Sequence, residues 1–211
     1  MWIEVLVEGA SDVPVLRGIL VRHFGLVEDI DFRIHPHRGR GKLPANPLAR
    51  PDIRHQGLLD QLPAKLRGFG KSLPPDSMVL VVVDVDDDPW RQLLNSLHAM
   101  LQSIPTRPQV LFRLAIEETE SWFIADLPAL QAAYPTGLKK NVLKGIKPDA
   151  IVGAWEKLAL ALGIDPQGIS PTSKYEWATK IAPHLDFDNP PSPSLGKLVV
   201  GLIAVAGDQQ P

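Results

Sequence analysis

The feature that most constrains the fold is an apolar run that ends in a cluster of acidic residues. Residues Val79–Val83 are all aliphatic, and four aspartates follow within five positions, at Asp84 and Asp86–Asp88. A continuous run of this kind is typical of a strand buried on both faces, as in a parallel sheet. The Asp88-Pro89 step that follows is typical of a helix start. The order strand, acidic turn, helix predicts an α/β unit whose acidic turn lies at the carboxyl end of a strand.

This acidic turn is a candidate metal site. In open α/β sheets, ligands bind just outside the carboxyl ends of the strands. Crowded carboxylates repel one another, and a divalent cation such as Mg²⁺ relieves that repulsion because it prefers oxygen ligands. Asp84 and Asp86, at alternate positions, are the better pair of ligands, whereas Asp87 and Asp88 are expected to face solvent or cap the helix. A solvated or capping turn without metal is the alternative for the whole run.

Two further predicted strands also end in acidic residues. Residues Met1–Glu8 form a β-type run that leads into Gly9, and the strand pattern of Gln109–Ile116 is followed directly by the acidic segment Glu117–Glu120. If the first two of these strands are neighbours, Glu8, Asp84 and Asp86 converge on one edge of the sheet. Glu118 and Glu120 belong to a third acidic strand end. Glu117 has a simpler alternative role, because a negative charge at a helix start suits the helix dipole.

A basic loop follows the remaining predicted strand, Asp31–His35. It contains Arg38, Arg40 and Lys42 separated by glycines, so its backbone can approach a ligand and its side chains can contact phosphate. The spacing does not match a nucleotide-binding P-loop. A flexible surface loop is the alternative, and the two nearby histidines, at 35 and 37, are expected to be solvent-facing or hydrogen-bonded rather than metal ligands.

Charge is unevenly distributed along the chain although the net charge is only −2. Residues 33–71 hold nine Lys and Arg against two Asp and Glu, and residues 76–126 hold three against nine. A basic segment beside an acidic one suits an enzyme that acts on a polyanion, with one part holding phosphates and the other holding cations. Simple pairing between the two segments is the alternative. The small net charge argues against a strong DNA-binding protein that acts alone.

Length and composition allow one domain with a good core, or one domain with a small appended portion. The 211 residues include no cysteine, which excludes disulfides and thiolate chemistry and fits a cytoplasmic location. The sequence shows no secretory signal and no apolar run long enough to span a membrane. We expect an α/β core over residues 1–126 and a helical extension over 127–211. Helical spacing between Leu58 and Phe69 predicts a helix in which Pro63 marks the start or a kink.

The three acidic strand ends, in this order, resemble the signature of the Toprim fold, which topoisomerases, bacterial primases and OLD-type nucleases share. That signature is Glu-Gly after the first strand and Asp-x-Asp after a later one, here Glu8-Gly9 and Asp84-x-Asp86. Nearly end to end, the chain also resembles the DUF4276 group of Toprim-like bacterial proteins. The shared motifs are Val7-Glu8-Gly9, Arg38-Gly39-Arg40-Gly41-Lys42, Asp84-x-Asp86, Ala115-x-x-Glu118-x-Glu120-x-Trp122, Ala125-Asp126, Lys174-Tyr175-Glu176-Trp177-Ala178 and Ile181-Ala182-Pro183.

The resemblance implies a parallel sheet flanked by helices, with Mg²⁺ or Mn²⁺ held at the strand ends. Two ions so placed would clamp an in-line attack on a phosphodiester. The implied roles are catalysis and metal binding for Glu8, Asp84 and Asp86, a second metal position for Glu118 or Glu120, and substrate binding for Arg38, Arg40, Lys42 and Asp12.

These observations predict a metal-dependent, Toprim-type phosphodiesterase or nuclease that acts on nucleic acid. The resemblance also implies a partner ATPase of the ABC type in a defence system, because OLD nucleases carry an ATPase in the same chain and this sequence has no ATPase motif. The alternative is a regulatory subunit that uses the same fold to bind an ATPase or nucleic acid without catalysis. Retention of so many carboxylates favours the enzyme, because a binding module has no use for mutually repelling charges.

Overall fold

The computed structural model of the protein describes residues 1–85 and 89–207, and these residues form one parallel sheet covered by helices. The sheet has the order β2-β1-β3-β4, and every neighbouring pair is parallel. Its strands are β1 (Trp2–Val7), β2 (Phe32–Pro36), β3 (Ser77–Asp84) and β4 (Gln109–Ala115). The predicted α/β class, with about four parallel strands flanked by helices, is therefore confirmed.

The α-helices precede, connect and follow these strands. They are α1 (Val13–Gly18), α2 (Leu58–Ser72), α3 (Trp90–Gln102), α4 (Glu120–Ala125), α5 (Leu127–Ala133), α6 (Ala154–Ala161), α7 (Pro171–Ile181) and α8 (Pro193–Gly207). A π-helical turn, Ile19–His23, continues α1. Within the described part of the chain, no helix combines the length and the apolar character needed to cross a membrane.

Two helix starts differ from the sequence-based expectation. Helix α2 begins at Leu58 and runs through Pro63 without ending, because Gly57 and the Asp60 carboxylate cap its first turn upstream of the proline. Helix α3 begins at Trp90, with Pro89 as its N-cap, one residue later than predicted. The predicted cap Asp88, with Asp86 and Asp87, lies outside the described residues.

Strand β3 lies in the interior of the sheet and is covered on both faces. Its alternate residues Met78, Leu80 and Val82 belong to the larger apolar core, beneath α1 and the C-terminal helices. The residues between them, including Val79 and Val81, belong to a second core beneath α2 and α3. Burial of both faces explains why the strand is an unbroken apolar run instead of an alternating one.

The helical C-terminal portion shares the larger core with the sheet. Trp177 and Leu198 are buried in the same cluster as Ile3 of the first strand. The indole of Trp122 donates a hydrogen bond of 2.7 Å to Ser194 Oγ and so connects α4 to α8. The C-terminal helices therefore pack directly on the sheet, and the division of the chain at residue 126 remains a prediction.

The register of the sheet brings the carboxyl ends of all four strands to one edge. Val7 of β1 pairs with Pro36 of β2, and Asp84 of β3 pairs with Ala115 of β4. The segments that follow these strands are therefore neighbours in space. Three of them are the acidic strand ends and the fourth is the basic loop.

Candidate functional site

Glu8 and Asp84 meet at this edge. The backbone N–H of Asp84 donates a hydrogen bond of 2.8 Å to Oε1 of Glu8, although the two residues are 76 positions apart. The contact follows from the sheet order, because β1 and β3 are hydrogen-bonded neighbours. Both side chains are partly exposed. The structure therefore brings together two of the predicted metal ligands, whereas Asp86 lies outside the described residues.

Asp12 lies buried beneath this pair. Its Oδ2 accepts a hydrogen bond of 2.9 Å from the backbone N–H of Gly9, and its Oδ1 accepts one of 3.0 Å from the Thr119 hydroxyl. Asp12 thus connects the turn after β1 to the acidic segment after β4. With both oxygens engaged and only 4% of the residue exposed, this geometry favours a positioning role over the predicted substrate contact.

Glu118 and Glu120 share one cation, the ammonium of Lys174. Lys174 Nζ lies 3.2 Å from Glu118 Oε1 and 3.5 Å from Glu120 Oε1. The same ammonium lies 5.2 Å from the centre of the Trp155 ring, at cation–π distance. Helix α7 delivers Lys174 to this position, because Ser170 caps its first turn by accepting the Ser173 N–H. Lys174 is therefore a functional candidate in the part of the site assigned to a second metal.

Glu117 faces away from the cluster and caps a helix. Its carboxylate accepts hydrogen bonds from the backbone N–H groups of Gly153 and Ala154, at the start of α6. The predicted interaction with a helix dipole is present, but the helix lies 37 residues further along the chain. Glu117 has a φ of 65°, in the left-handed region that is uncommon for a residue with a side chain. This turn directs Glu117 and Glu118 towards different partners.

The basic loop folds over the carboxyl ends of β1 and β3. The Gly39 N–H donates to the backbone carbonyl of Glu8 at 2.9 Å, and Arg40 Nη1 donates to the carbonyl of Val85 at 3.3 Å. Arg38 and Lys42 are exposed beside it. The loop therefore places positive charge next to the acidic strand ends, with two cationic side chains facing solvent.

Gly39 and Gly41 of the basic loop differ in how much space surrounds them. Gly41 has a φ of 66°, and an added Cβ would lie 2.2 Å from Asp60 Oδ2 and 3.1 Å from the Gly57 Cα, so the start of α2 leaves no room for a side chain. Gly39 has a φ of 84°, with nothing within 4 Å of an added Cβ. Packing against α2 accounts for Gly41, and only Gly39 leaves open space where a ligand could approach.

The carboxylates strongly perturb one another. The pKa of Asp84 is raised well above its usual range, first by burial and then by the negative charges of Asp12, Glu8, Glu120 and Glu118. Burial also raises the pKa of Asp12, which Lys174 and hydrogen bonds from Gly9 and Thr119 partly offset. Five acidic side chains thus act on one another at this edge, which we call the acidic cluster (Glu8, Asp12, Asp84, Glu118 and Glu120).

Lys174 offsets only part of this repulsion. Burial and the neighbouring Glu120 raise the pKa of Glu118 to about 7, although the Lys174 ammonium lowers it. Burial lowers the pKa of Lys174, but Glu120 and Glu118 outweigh it and the net shift is upward. The ammonium of Lys174 therefore offsets only part of the repulsion among these carboxyl groups, and further positive charge would stabilise the cluster.

The donor set fits a hard divalent cation. All five acidic groups offer oxygen, and Oε2 of Glu118 is buried without a hydrogen-bond partner. In residues 1–85 and 89–207, however, no three acidic or histidine side chains already lie close enough together to hold an ion. Glu8 and Asp84 would hold a metal at this edge, with water and the predicted ligand Asp86 as further oxygen donors.

Sequence reasoning missed Lys174 and Thr119 as members of the site. The segment from Ser170 to Lys174 is predicted from the sequence to form a helix cap, with contact to phosphate or a partner as the alternative, and Lys174 is otherwise named only in the resemblance. Ser170 does cap the helix, and Lys174, one turn later, lies beside Glu118 and Glu120. Its position on the partly buried side of an amphipathic helix was the available signal.

Both histidines near the basic loop are hydrogen-bonded as expected, His35 to Glu4 at 2.5 Å and His37 to the Val7 carbonyl at 2.8 Å.

Comparison with known proteins gives one match, to a family. No curated protein and no solved structure matches the chain. The family model for the domain of unknown function DUF4276 matches residues 7–203, a range that contains the basic loop, every member of the acidic cluster and Lys174. Because this match covers nearly the whole sequence, the chain belongs to the DUF4276 family.

Proposed function

We propose that this protein is a Mg²⁺-dependent phosphodiesterase of the Toprim type that cleaves nucleic acid. The observation that supports the proposal is the hydrogen bond from the Asp84 backbone N–H to the Glu8 carboxylate, which joins the two signature residues at the carboxyl ends of β1 and β3. The mutual rise of carboxyl pKa values around Asp84 supports it, because a site built from repelling charges is suited to a cation.

Glu8 and Asp84 would hold the metal, with Asp86 as the further ligand. Bound Mg²⁺ or Mn²⁺ supplies a Lewis acid for the phosphate and lowers the pKa of a water nucleophile. Glu8 would act as metal ligand or proton acceptor, while its Oε1 accepts the Asp84 N–H. Asp12 holds the turn after Gly9 in place through its two hydrogen bonds.

The position of Lys174 favours one bound metal ion over the two that the resemblance implies. Its ammonium already lies between Glu118 and Glu120, where a second ion was expected. We therefore propose one divalent cation on the side of Glu8 and Asp84, with Lys174 supplying the positive charge on the opposite side. A second ion would have to displace the ammonium from both glutamates.

The basic loop would hold the phosphate backbone beside the metal. Arg38 and Lys42 are exposed, and Arg40 lies at the end of β3 against the Val85 carbonyl. Two exposed cations give only modest affinity for nucleic acid by themselves, because each neutralised phosphate contributes one step of salt-dependent binding. A separate ATPase subunit would supply further contacts, in keeping with the resemblance to OLD-type nucleases and the absence of an ATPase motif in this sequence.

Cleavage of supercoiled plasmid DNA in the presence of Mg²⁺ or Mn²⁺ tests the proposal. We expect metal-dependent nicking by the wild-type protein, reduced about 100-fold or more in Asp84→Asn and Glu8→Gln. The matched control is Asp76→Asn, which removes one exposed carboxylate at the opposite end of β3. Nicking that survives both site substitutions would mean a contaminant or a different active centre.

The alternative function is a non-catalytic subunit that binds an ATPase or nucleic acid. One observation favours it: Lys174 neutralises part of the acidic cluster without any metal. Absence of cleavage with either metal, together with nucleic-acid binding that Asp84→Asn leaves unchanged, would support this alternative over the enzyme.

A further inference from the structure

A second candidate site lies at the open edge of β4, outside the acidic cluster. A groove of about 780 Å³ runs there between α3 and α8, within the 300–1,000 Å³ range of small-molecule pockets. Its apolar walls come from α3, from the end of β4 and from α8, and consist of Trp90, Leu94, Leu114, Ile116 and Val200. Trp90 is 41% exposed and Val200 is 64% exposed, so large apolar side chains face solvent here.

Arg113 gives this groove a positive charge whose described hydrogen-bond partners are neutral. Its Nε donates to the Lys197 carbonyl at 2.9 Å and its Nη1 to the Phe112 carbonyl at 2.8 Å. Both acceptors are neutral backbone groups. No carboxylate in the described part of the chain forms an ion pair with Arg113, and burial lowers its pKa. A half-buried guanidinium that lacks a counter-charge is costly unless something supplies one.

The position of this guanidinium is built into α8. An added Cβ on Gly201 would lie 1.8 Å from Arg113 Nη2, so the guanidinium lies directly against the backbone of α8 at this glycine. The Lys197 carbonyl, one turn earlier, accepts the Nε hydrogen bond. These two contacts hold the arginine against α8 within the groove.

The acidic residue in the groove lining, Asp149, already accepts hydrogen bonds from the start of α8. Asp149 lines the groove, but its Oδ1 accepts the hydroxyls of Ser192 and Ser194, and its Oδ2 accepts the Ser194 N–H. These bonds hold the start of α8. They leave Arg113 available to an incoming anion, with the exposed Lys197 as a second cation in the lining.

Addition of a partner strand to β4 fits this edge poorly. The Phe112 carbonyl, on the edge strand β4, already accepts a hydrogen bond from the Arg113 guanidinium. A charged side chain that blocks an edge carbonyl is a common protection against strand pairing. A compact ligand that brings its own acid group avoids this conflict.

We propose that the groove binds a small amphipathic anion, with its carboxylate on Arg113 and its apolar body between Trp90 and Val200. Charge complementarity to Arg113 selects the acid, and the exposed apolar walls select the hydrocarbon part. This site does not depend on the proposed phosphodiesterase activity. It does lie close to the acidic cluster along the chain, because Ile116 is two residues before Glu118.

Binding of 8-anilinonaphthalene-1-sulfonate, an aromatic anion whose fluorescence rises in apolar surroundings, tests the site. We expect saturable binding that decanoate displaces at least about tenfold more effectively than decanol, because only the acid can accept a charge-assisted hydrogen bond. Arg113→Gln should weaken both the dye and decanoate at least about tenfold and remove the preference for the acid.

A second pair of variants covers a failure of Arg113→Gln to fold. Val200→Glu places a negative charge in the groove and should weaken decanoate about tenfold or more, whereas Val152→Glu is the same change at a residue 77% exposed elsewhere. Equal displacement by decanol and decanoate, or equal binding by Val200→Glu and Val152→Glu, would overturn the proposal. Absence of saturable binding of both dye and decanoate would overturn it as well.

Discussion

The Asp84 N–H donates a 2.8 Å hydrogen bond to the Glu8 carboxylate, which fixes the ends of β1 and β3 against each other. Each residue alone is an ordinary acidic group after a strand. Asp84 is also repelled electrostatically by Glu8 itself and by the carboxyl groups of Asp12, Glu118 and Glu120. The repulsion among these carboxyl groups destabilises the folded protein, and a cation bound at this edge of the sheet would offset that destabilisation.

Asp84→Asn should stabilise the protein when no divalent cation is present. The substitution keeps the shape of the side chain and removes a charge that four other carboxylates oppose. We expect the free energy of unfolding to rise by about 1 kcal/mol at pH 7, the usual scale of a single substitution. Urea denaturation in EDTA measures it, with Asp76→Asn as the control, and a clear loss of stability would contradict the described electrostatics.

Stability should fall as the pH rises from about 4.5 to about 7. The pKa of Glu118 is about 7 in the folded protein against an ordinary value of 4.5, so the folded state binds more protons across this interval. The stabilisation is complete below pH 4.5 and is lost as the pH rises through about 7. Glu118→Gln should reduce this decline by about 1–2 kcal/mol after allowance for partial solvent access.

Unfolding curves at several pH values in EDTA give the comparison for Glu118. Glu176→Gln, an exposed change on α7, serves as the control and should leave the decline as it is in the wild-type protein. An identical pH profile for wild type and Glu118→Gln would show that this carboxyl group titrates normally.

Lys174→Met should destabilise the metal-free protein and make it more responsive to Mg²⁺. The substitution keeps the aliphatic stem and leaves Glu118 and Glu120 facing each other without their shared cation. We expect a loss of about 2 kcal/mol, less than for a fully buried ion pair. Thermal unfolding with and without Mg²⁺ measures both effects, beside Lys157→Met on exposed α6 surface. Equal melting temperatures for the two variants would contradict the role of Lys174.

Gly41→Ala should cost more stability than Gly39→Ala. Both glycines have positive φ values, so both substitutions carry the penalty of the left-handed region. Only at Gly41 does the added methyl group also meet Asp60 and Gly57. We expect about 1 kcal/mol for Gly39→Ala and about 2–3 kcal/mol for Gly41→Ala, from urea denaturation. The reverse order would mean that the loop does not pack on α2 as described.

Replacement of the two exposed cations of the basic loop by alanine should weaken the binding of nucleic acid. It should also make that binding less dependent on salt. The double variant Arg38→Ala/Lys42→Ala removes two exposed positive charges beside the cluster. The slope of log affinity against log salt should fall by about 2 for duplex DNA if both contact phosphate. Fluorescence anisotropy with labelled DNA measures the slope, and Arg33→Ala, at an exposed residue of β2, is the control. An unchanged slope would place the nucleic acid elsewhere.

The parts of the fold set by local patterns could be predicted from the sequence. The apolar run at Val79–Val83 indicated a doubly buried strand, and the strand carries apolar residues into both cores. The meeting of Glu8 and Asp84 followed from one further step, since parallel strands end at a common edge. These features depend on the spacing of apolar residues and on general rules of sheet topology, and both can be applied to a single sequence.

The partners of the acidic groups could not be predicted, because they depend on distant contacts. Lys174 approaches Glu118 from 56 residues away, and Thr119 reaches Asp12 across 107 residues. Glu117 caps a helix that begins far downstream, so its place in an acidic run gave no sign of its role. Only the packing of α6 and α7 on the sheet decides which carboxylates are neutralised and which remain available.

The most direct measurement is calorimetric titration of Mn²⁺ into the wild-type protein, Asp84→Asn and Asp76→Asn in metal-free buffer. If Glu8 and Asp84 form a cation site, the wild-type protein and Asp76→Asn will bind one Mn²⁺ per chain, and Asp84→Asn will bind at least about tenfold more weakly. Equal binding by Asp84→Asn, or no binding by any of the three, would contradict a metal site at this edge of the sheet.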